Sequence, residues 1–442
     1  MSAPPDSTRD FDVIVVGGGP NGAVAAALLA CCSGLEAGRI ALIAPEFTRT
    51  TGAAAEQSRQ ERRPGQSPDM RQPAPVRVAA LSRASEMVLH NAKAWDRLPG
   101  ERLCAYQRMR VWHESVPADG PEVLQFAAAE VAEPNLGYIV ENRALAAAGV
   151  ASFTEQGGQI LGGRVEGLEV GGDAAHLRTD AGTISARLVV GADGANSRVR
   201  ELLGIALRTH DYRQSAIVAT IASARSHQYT AWQRFLGSGP LALLPLADGC
   251  SSIVWSAEQS LAEELMQLTA EQFARRLDAA SDGVLGATRL VSERVSFALQ
   301  RATAESMVGP RAALIGDAAH VLHPLAGQGM NLGFLDAAAL CESVAEGIGE
   351  REEVGAARFL RSYEQRRLTH DALMSWSMSA FNELFSRSAG PAGWLAARLL
   401  GVAGASSIVR RGFARRALGL SGEVPALARH LRRAAQSKVA TC

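Results

Sequence analysis

FDVIVVGGGPNGAVAAALLA, residues 11–30, decides how the chain is read. Its first six residues form a short apolar, β-branched run of the kind that fills a buried strand. Its last eight, rich in Ala and Leu, read as a helix. Between them stand Gly17, Gly19 and Gly22, spaced GxGxxG, with Pro20 inside the motif. In that setting Gly17 permits the tight turn, Gly19 lets the backbone approach a pyrophosphate, and Gly22 lets helix and strand pack closely. The helix start offers free N–H groups and a positive dipole end to phosphates. A second buried strand, residues 39–44 (RIALIA), completes a β–turn–α–β dinucleotide-binding unit. An acidic residue normally closes that strand and holds the ribose hydroxyls. Here the slot holds Ala44, and Glu46 follows two residues later. Glu46 either comes round through a shifted turn to the ribose or is a solvated loop carboxylate.

The rest of the chain fits more than one folding unit. It has 442 residues, 47% hydrophobic and 20% charged, with 45 basic and 45 acidic side chains. That balance argues against a nucleic-acid partner, whose binding surface would be basic. Six scattered cysteines without a CxxC read as reduced thiols of a cytosolic protein. No metal-ligand spacing is present, so no metal is expected. The first residues carry neither a basic nor an apolar leader region, so no secretory signal is expected, and no apolar run is long enough for a spanning helix. Residues 48–75 read as a loop. Helices are expected at 84–98, 142–151 and 262–277, a small antiparallel meander at 165–184, and successive strands at 214–223, 230–235, 241–246 and 251–256.

Two further glycine motifs follow buried strands. GADGANSRVR (residues 191–200) comes after LVVG, and GDAAHVLHPLAGQGMNLGFLDA (residues 316–337) comes after AALI. Taken alone, Asp193 could be an Asx-turn residue and Asp317 a helix cap.

Together, an early GxGxxG, a central DG and a late GD resemble the FAD-dependent aromatic hydroxylases of the para-hydroxybenzoate hydroxylase class. RVAALSRAS (77–85), AWDRLP (94–99), GYIVENRAL (137–145), GPLALLPLADG (239–249) and ARRALGLSGEVPALAR (414–429) extend the likeness over nearly the whole chain, to the 2-polyprenylphenol hydroxylases of ubiquinone biosynthesis. The resemblance implies an α/β fold: a Rossmann-like FAD-binding domain interleaved with an antiparallel substrate sheet, plus C-terminal helices. The expected FAD-binding parts are 1–82, 142–207 and 301–370. The substrate parts are 83–141 and 208–300, and a helical region spans 371–442. It implies that Asp317 meets the ribityl and pyrophosphate region and that Gly316, Gly327, Gln328, Gly329, Met330 and Asn331 bring backbone against the flavin, with a helix starting near Asn331. Pro324 would line the reactive face. Asn142 and Arg143 would make ribityl contacts, and Asp193 and Gly194 would lie near the FAD. Arg77 would reach the flavin side or else form a surface salt bridge. His320 and His323 are read as structural.

By the same resemblance NAD(P)H reduces the FAD, and O2 gives a flavin C4a-hydroperoxide that hydroxylates a polyprenylated phenol. No side chain is expected to act as a catalyst. Leu243 and Pro245, in LALLPL, are the candidate substrate wall with Trp232, Phe235 and Trp255, the alternative being plain sheet core. Residues 408–433 carry seven arginines against Glu423, interleaved with Phe413, Leu418, Leu420, Leu427 and Leu431. They are read as a surface for the membrane or for a ubiquinone-biosynthesis complex, or as a solvated tail. The expected location is cytoplasmic, at the inner face of the membrane. Two alternatives remain: a monooxygenase of a soluble aromatic, and a scaffold subunit without catalysis.

Overall fold

The computed structural model describes residues 10–48, 77–321, 329–368, 411–412, 415, 418–420 and 424–429. The opening strand, Asp10–Val16, sits in the middle of a parallel sheet. Ile40–Ile43 and then Gln159–Leu161 lie on one side of it, Gly182–Gly191 and then Ala312–Leu314 on the other. Their carboxyl ends are level, with Val16 beside Ile43 and Gly191, and Gly191 beside Leu314. The central strands Asp10–Val16 and Ile40–Ile43 and the second half of Gly182–Gly191 are largely buried on both faces, which is why they read as apolar runs without alternation. Gly182–Gly191 does two jobs. Its first half closes the meander with Ala174–Thr179, and its second half enters the parallel sheet.

The helix Pro20–Cys32 is buried from Gly22 to Leu29 and packs between Asn142–Glu155 and Gly329–Gly349. Gly149 makes the first of these contacts possible: a Cβ there would stand 2.9 Å from Ala23. A glycine that weakens the helix in isolation is what lets two helices approach.

The second sheet has nine strands. In order they are His320–Val321, Val295–Ala304, Leu207–Ser223, Ser251–Glu258, Gly239–Pro245, Thr230–Leu236, Arg108–His113 and Leu124–Ala127, with Thr288–Leu290 also on Leu207–Ser223. All pairs are antiparallel except Thr230–Leu236 with Arg108–His113. A three-stranded sheet of Val78–Leu81, Gly137–Glu141 and Leu103–Tyr106 lies beside it.

Three elements differ from the sequence reading. Leu207–Ser223 starts seven residues early, because the polar stretch LRTHDYR is an exposed strand whose pairing slips between Asp211 and Gln214. The expected helix 262–277 is two helices, Gln259–Gln267 and Ala270–Ala280, separated by a capping box of Thr269 and Gln272. The expected helix 84–98 ends at Asn91, and Lys93 turns left-handed at φ 52°.

Candidate cofactor and active site

The first glycine motif lies at the carboxyl ends of the parallel strands. Gly17 has φ 116°, and its N–H donates to Ile43 O at 3.0 Å. A Cβ on Gly17 would sit 2.4 Å from Ala192 O, and one on Gly22 would sit 2.0 Å from Gly17 O. The fold itself therefore needs both glycines. Gly19 is different. Its φ of −63° suits any residue, and a Cβ there would meet nothing within 4 Å. What Gly19 keeps clear is the space in front of the helix. Pro20 opens that helix without a side-chain cap, so the Asn21 and Gly22 N–H groups have no partner within the helix.

The other two motifs converge on the same place. Gly316 (φ 59°) and Gly333 both lie against the amide of Asn21, where a Cβ would come within 2.2 and 2.3 Å of its Nδ2. Asn21 thus joins the first helix, the Gly316–Ala318 turn and the helix Gly329–Gly349. Asp317 projects from that turn, open to solvent, and its Oδ1 lies 4.0 Å from where a Cβ of Gly329 would be. Desolvation there raises the carboxylate's pKa, against the lowering effect of His320. Asn142 begins Asn142–Glu155, and its N–H donates to Arg77 O at 2.9 Å. The Oδ1 atoms of Asn142 and Asn21 are buried without a hydrogen-bond partner among the described residues. Arg143 and Arg77 are exposed, and Gly194 has open space before it.

Two of the expected cofactor residues have side chains bonded within the protein. The Asp193 carboxylate accepts from Ser197 Oγ, Arg198 N (2.7 Å) and Val199 N (3.1 Å), which caps the helix Arg198–Leu202. Asn331 is 4% exposed, and its side chain is fully employed. Oδ1 accepts from Ser82 N (2.9 Å) and Ser85 Oγ (2.6 Å), while Nδ2 donates to Ala80 O (2.8 Å). It staples the strand Val78–Leu81 to the first turn of Gly329–Gly349. That helix begins two residues ahead of the expected start near Asn331, and Met330 packs against the main core.

Beneath the Gly316 turn lies a buried ionic cluster that sequence reading missed. The Asp336 carboxylate, 0% exposed, accepts Gly316 N–H (2.8 Å) and His320 Nε2 (2.7 Å) on Oδ2, and Arg367 Nε (2.6 Å) on Oδ1. Burial alone would raise its pKa. His320 and Arg367 outweigh that and hold it down, to about 2. The structural reading of His320 agrees with this arrangement. Asp336 looks like an ordinary helix residue in sequence, and Arg367 lies 31 positions away, so no spacing rule links them.

The substrate sheet has two unlike faces. Leu241 and Leu243 are buried with Trp255, Leu265, Phe273 and Leu277 under the helices Gln259–Gln267 and Ala270–Ala280. Leu243 is therefore sheet core, and the period of two puts Pro245 on the same side. Trp232 packs there too, while Phe235 is buried in a separate cluster with Val111 and Leu418. Neighbouring residues on the strand face the other way. Leu244 packs with Ala80, Cys104 and Ile139, towards the strand that Asn331 holds. On this second face Val218 and Val254 are register partners in mid-sheet, and both are only half-buried. The plain-core alternative describes Leu243, and it is on this second face that apolar side chains in mid-sheet stay partly exposed.

A family model for an FAD-binding domain matches residues 142–376. The ubiquinone hydroxylase UbiL of Rhodospirillum rubrum is 38% identical over 362 residues, covering 80% of this chain and 82% of that protein. The chain belongs to the FAD-dependent hydroxylases of ubiquinone biosynthesis. A 3-demethoxyubiquinol 3-hydroxylase of Escherichia coli is 32% identical over 350 residues, covering 78% of this chain and 88% of that one. Among solved structures, p-nitrophenol 4-monooxygenase PnpA from Pseudomonas putida shares the fold, with a TM-score of 0.69 at 19% identity over 93% of this chain and 99% of that one.

The hydroxylase's residues fit FAD. Gly19 leaves the space before the helix start clear, two buried amide oxygens have no partner among the described residues, and Asp317 projects from the adjoining turn. Ala44 is buried at the end of Ile40–Ile43, and Glu46 lies in the short helix Pro45–Thr48, its side chain outside the described ones. Pro324, Gly327, Gln328 and His323 also lie outside the described residues, as do Phe413, Leu431 and most arginines of the C-terminal stretch. The part of that stretch that is described docks on the enzyme. Leu418 is buried beside Phe235, and Val424 and Ala428 join the main core. Leu427 N–H donates to Glu342 Oε1 at 2.7 Å, and its carbonyl accepts from Asn91 Nδ2 at 2.6 Å. Leu418 and Leu427, which belong to the stretch read as a membrane or partner surface or a solvated tail, pack against the rest of the protein. Among the described residues no helix is long and apolar enough to cross a membrane.

Proposed function

We propose that the enzyme hydroxylates the ring of a polyprenylated phenol on the way to ubiquinone, consuming NAD(P)H and O2. The observation that carries this is the likeness to ubiquinone hydroxylases over four-fifths of the chain. FAD, when bound and reduced by NAD(P)H, supplies the activation of oxygen. The protein binds, orients and excludes water. The uncapped helix start behind Gly19 takes the pyrophosphate. Asp317, Asn142 and Arg143 hold the ribityl chain, and Arg77 reaches the flavin side. The first turn of Gly329–Gly349 presents a positive helix end to the flavin ring. Val218, Val254, Ala242 and Leu244 form the apolar wall against which the substrate lies, keeping water from the reacting centre. A polyprenyl tail is membrane-dissolved. The proposal therefore places the protein in the cytoplasm, working at the inner membrane face, with basic side chains such as the exposed Arg411 towards anionic lipid.

The test is NAD(P)H oxidation by the purified flavoprotein with a prenylated phenol, its product examined by mass spectrometry. Stimulated oxidation with one oxygen added to the ring is expected. A tail-less phenol hydroxylated as fast as the prenylated one would overturn the assignment.

A further inference from the structure

We propose that Asp336 is a positioning residue for FAD, acting through the Gly316–Ala318 turn on Asp317. The proposal rests on the reading that Asp317 contacts the cofactor. Three bonds make the case. One Asp336 oxygen takes the N–H of Gly316, the residue directly before Asp317, and also His320 Nε2, three residues after it. The turn is thus gripped on both sides of Asp317 by a single atom. The other oxygen is held by Arg367 Nε, from a separate part of the chain. All three side chains are nearly inaccessible to solvent, at 0%, 5% and 1% exposure, so the grip is strong and water cannot replace it. Gly316 also sits against Asn21 with no room for a Cβ, which fixes the turn in a single seat. An amide in place of the carboxylate cannot do the same work. It retains one acceptor oxygen, and its NH2 must face either Arg367 or the Gly316 N–H, both obligate donors, while His320 could accept only by changing tautomer.

The experiment is a double-mutant cycle read as FAD affinity, by titrating flavin into the deflavinated full chain. Asp336→Asn and Asp317→Ala are each expected to weaken FAD by roughly tenfold or more, the loss of one charge-assisted contact. The double variant is expected to bind within about twofold of Asp317→Ala, since Asp336 has nothing left to position. A merely structural Asp336 would lower the melting temperature of the apoprotein and multiply its effect with that of Asp317. Such multiplicative losses would overturn the proposal. Unchanged affinity in Asp317→Ala would instead sink the cofactor reading beneath it. Should Asp336→Asn not fold, Arg367→Lys, which keeps the charge and loses the planar donor, enters the same cycle: affinity within about twofold of Asp317→Ala in the double variant supports the proposal, and multiplicative losses overturn it.

Discussion

Asn331→Ala separates a cofactor contact from a structural staple. The side chain makes three buried hydrogen bonds, to Ser82 N–H, Ser85 Oγ and Ala80 O. Each such bond contributes about 1 kcal/mol net, and a buried backbone group left without a partner costs about 1–3 kcal/mol. Truncation orphans two backbone groups and costs Ser85 Oγ one of its two partners, so the expected loss is about 3–5 kcal/mol. Unfolding entropy is about 2.1 cal/mol/K per residue, which for a chain of this length turns that loss into a fall of roughly 3–6 °C in melting temperature. The assay is urea and thermal unfolding of deflavinated protein, followed by tryptophan fluorescence, beside an FAD titration. Asn331→Asp keeps both acceptor bonds but loses the donor to Ala80 and buries a charge, so it should also destabilise the apoprotein. A loss below about 1 kcal/mol in Asn331→Ala, together with clearly weaker FAD binding, would refute the staple and assign the side chain to the cofactor.

Three other outcomes are expected. Gly22→Ala should prevent stable folding, because its Cβ would meet Gly17 O, whereas Gly19→Ala should fold normally and lose FAD, as read by melting of the apoprotein and bound flavin after purification. Leu243→Ala should cost about 2–5 kcal/mol of stability as a core truncation, while Val254→Ala should leave stability within about 1 kcal/mol and raise the KM for the prenylated phenol; the reverse pattern would exchange the two sheet faces. Asp336 has a folded pKa below its ordinary 3.8, so it stabilises the fold above that value and loses the contribution as pH falls towards about 2. Acid unfolding of wild type should therefore show a loss of about 2 kcal/mol between roughly pH 4 and 2 that Asp336→Asn lacks.

The parallel strands and all three glycine motifs were legible in the sequence because their constraints are local. A strand buried on both faces is apolar throughout, and a tight turn before a helix needs glycine at fixed offsets. The same uniformity hid which side of one central strand is core. LALLPL is apolar at every position, so no alternation told which residues faced the helices and which faced the other way. Asn331 and Asp336 could not be read because their partners lie far off in sequence: Ala80, Ser82 and Ser85 for the first, Arg367 for the second. Asn21 was hidden inside a motif position usually treated as free, and the glycines that make room for it come about 300 residues later.

The interleaving of the two sheets sets the order in which the protein can mature on the ribosome. Asp10–Val16 and Ile40–Ile43 are synthesised early, but Gly182–Gly191 must emerge before the first can be flanked on its other side, and Ala312–Leu314 must emerge before that strand in turn is covered. Until Gly329–Gly349 is available to cover the helix Pro20–Cys32, nearly three-quarters of the nascent chain carries open strand edges and bare apolar surface. Such intermediates aggregate readily. Production of this enzyme should therefore depend on holdase chaperones, and nascent chains arrested before residue 316, which lack the last of the three glycine motifs, should retain no flavin.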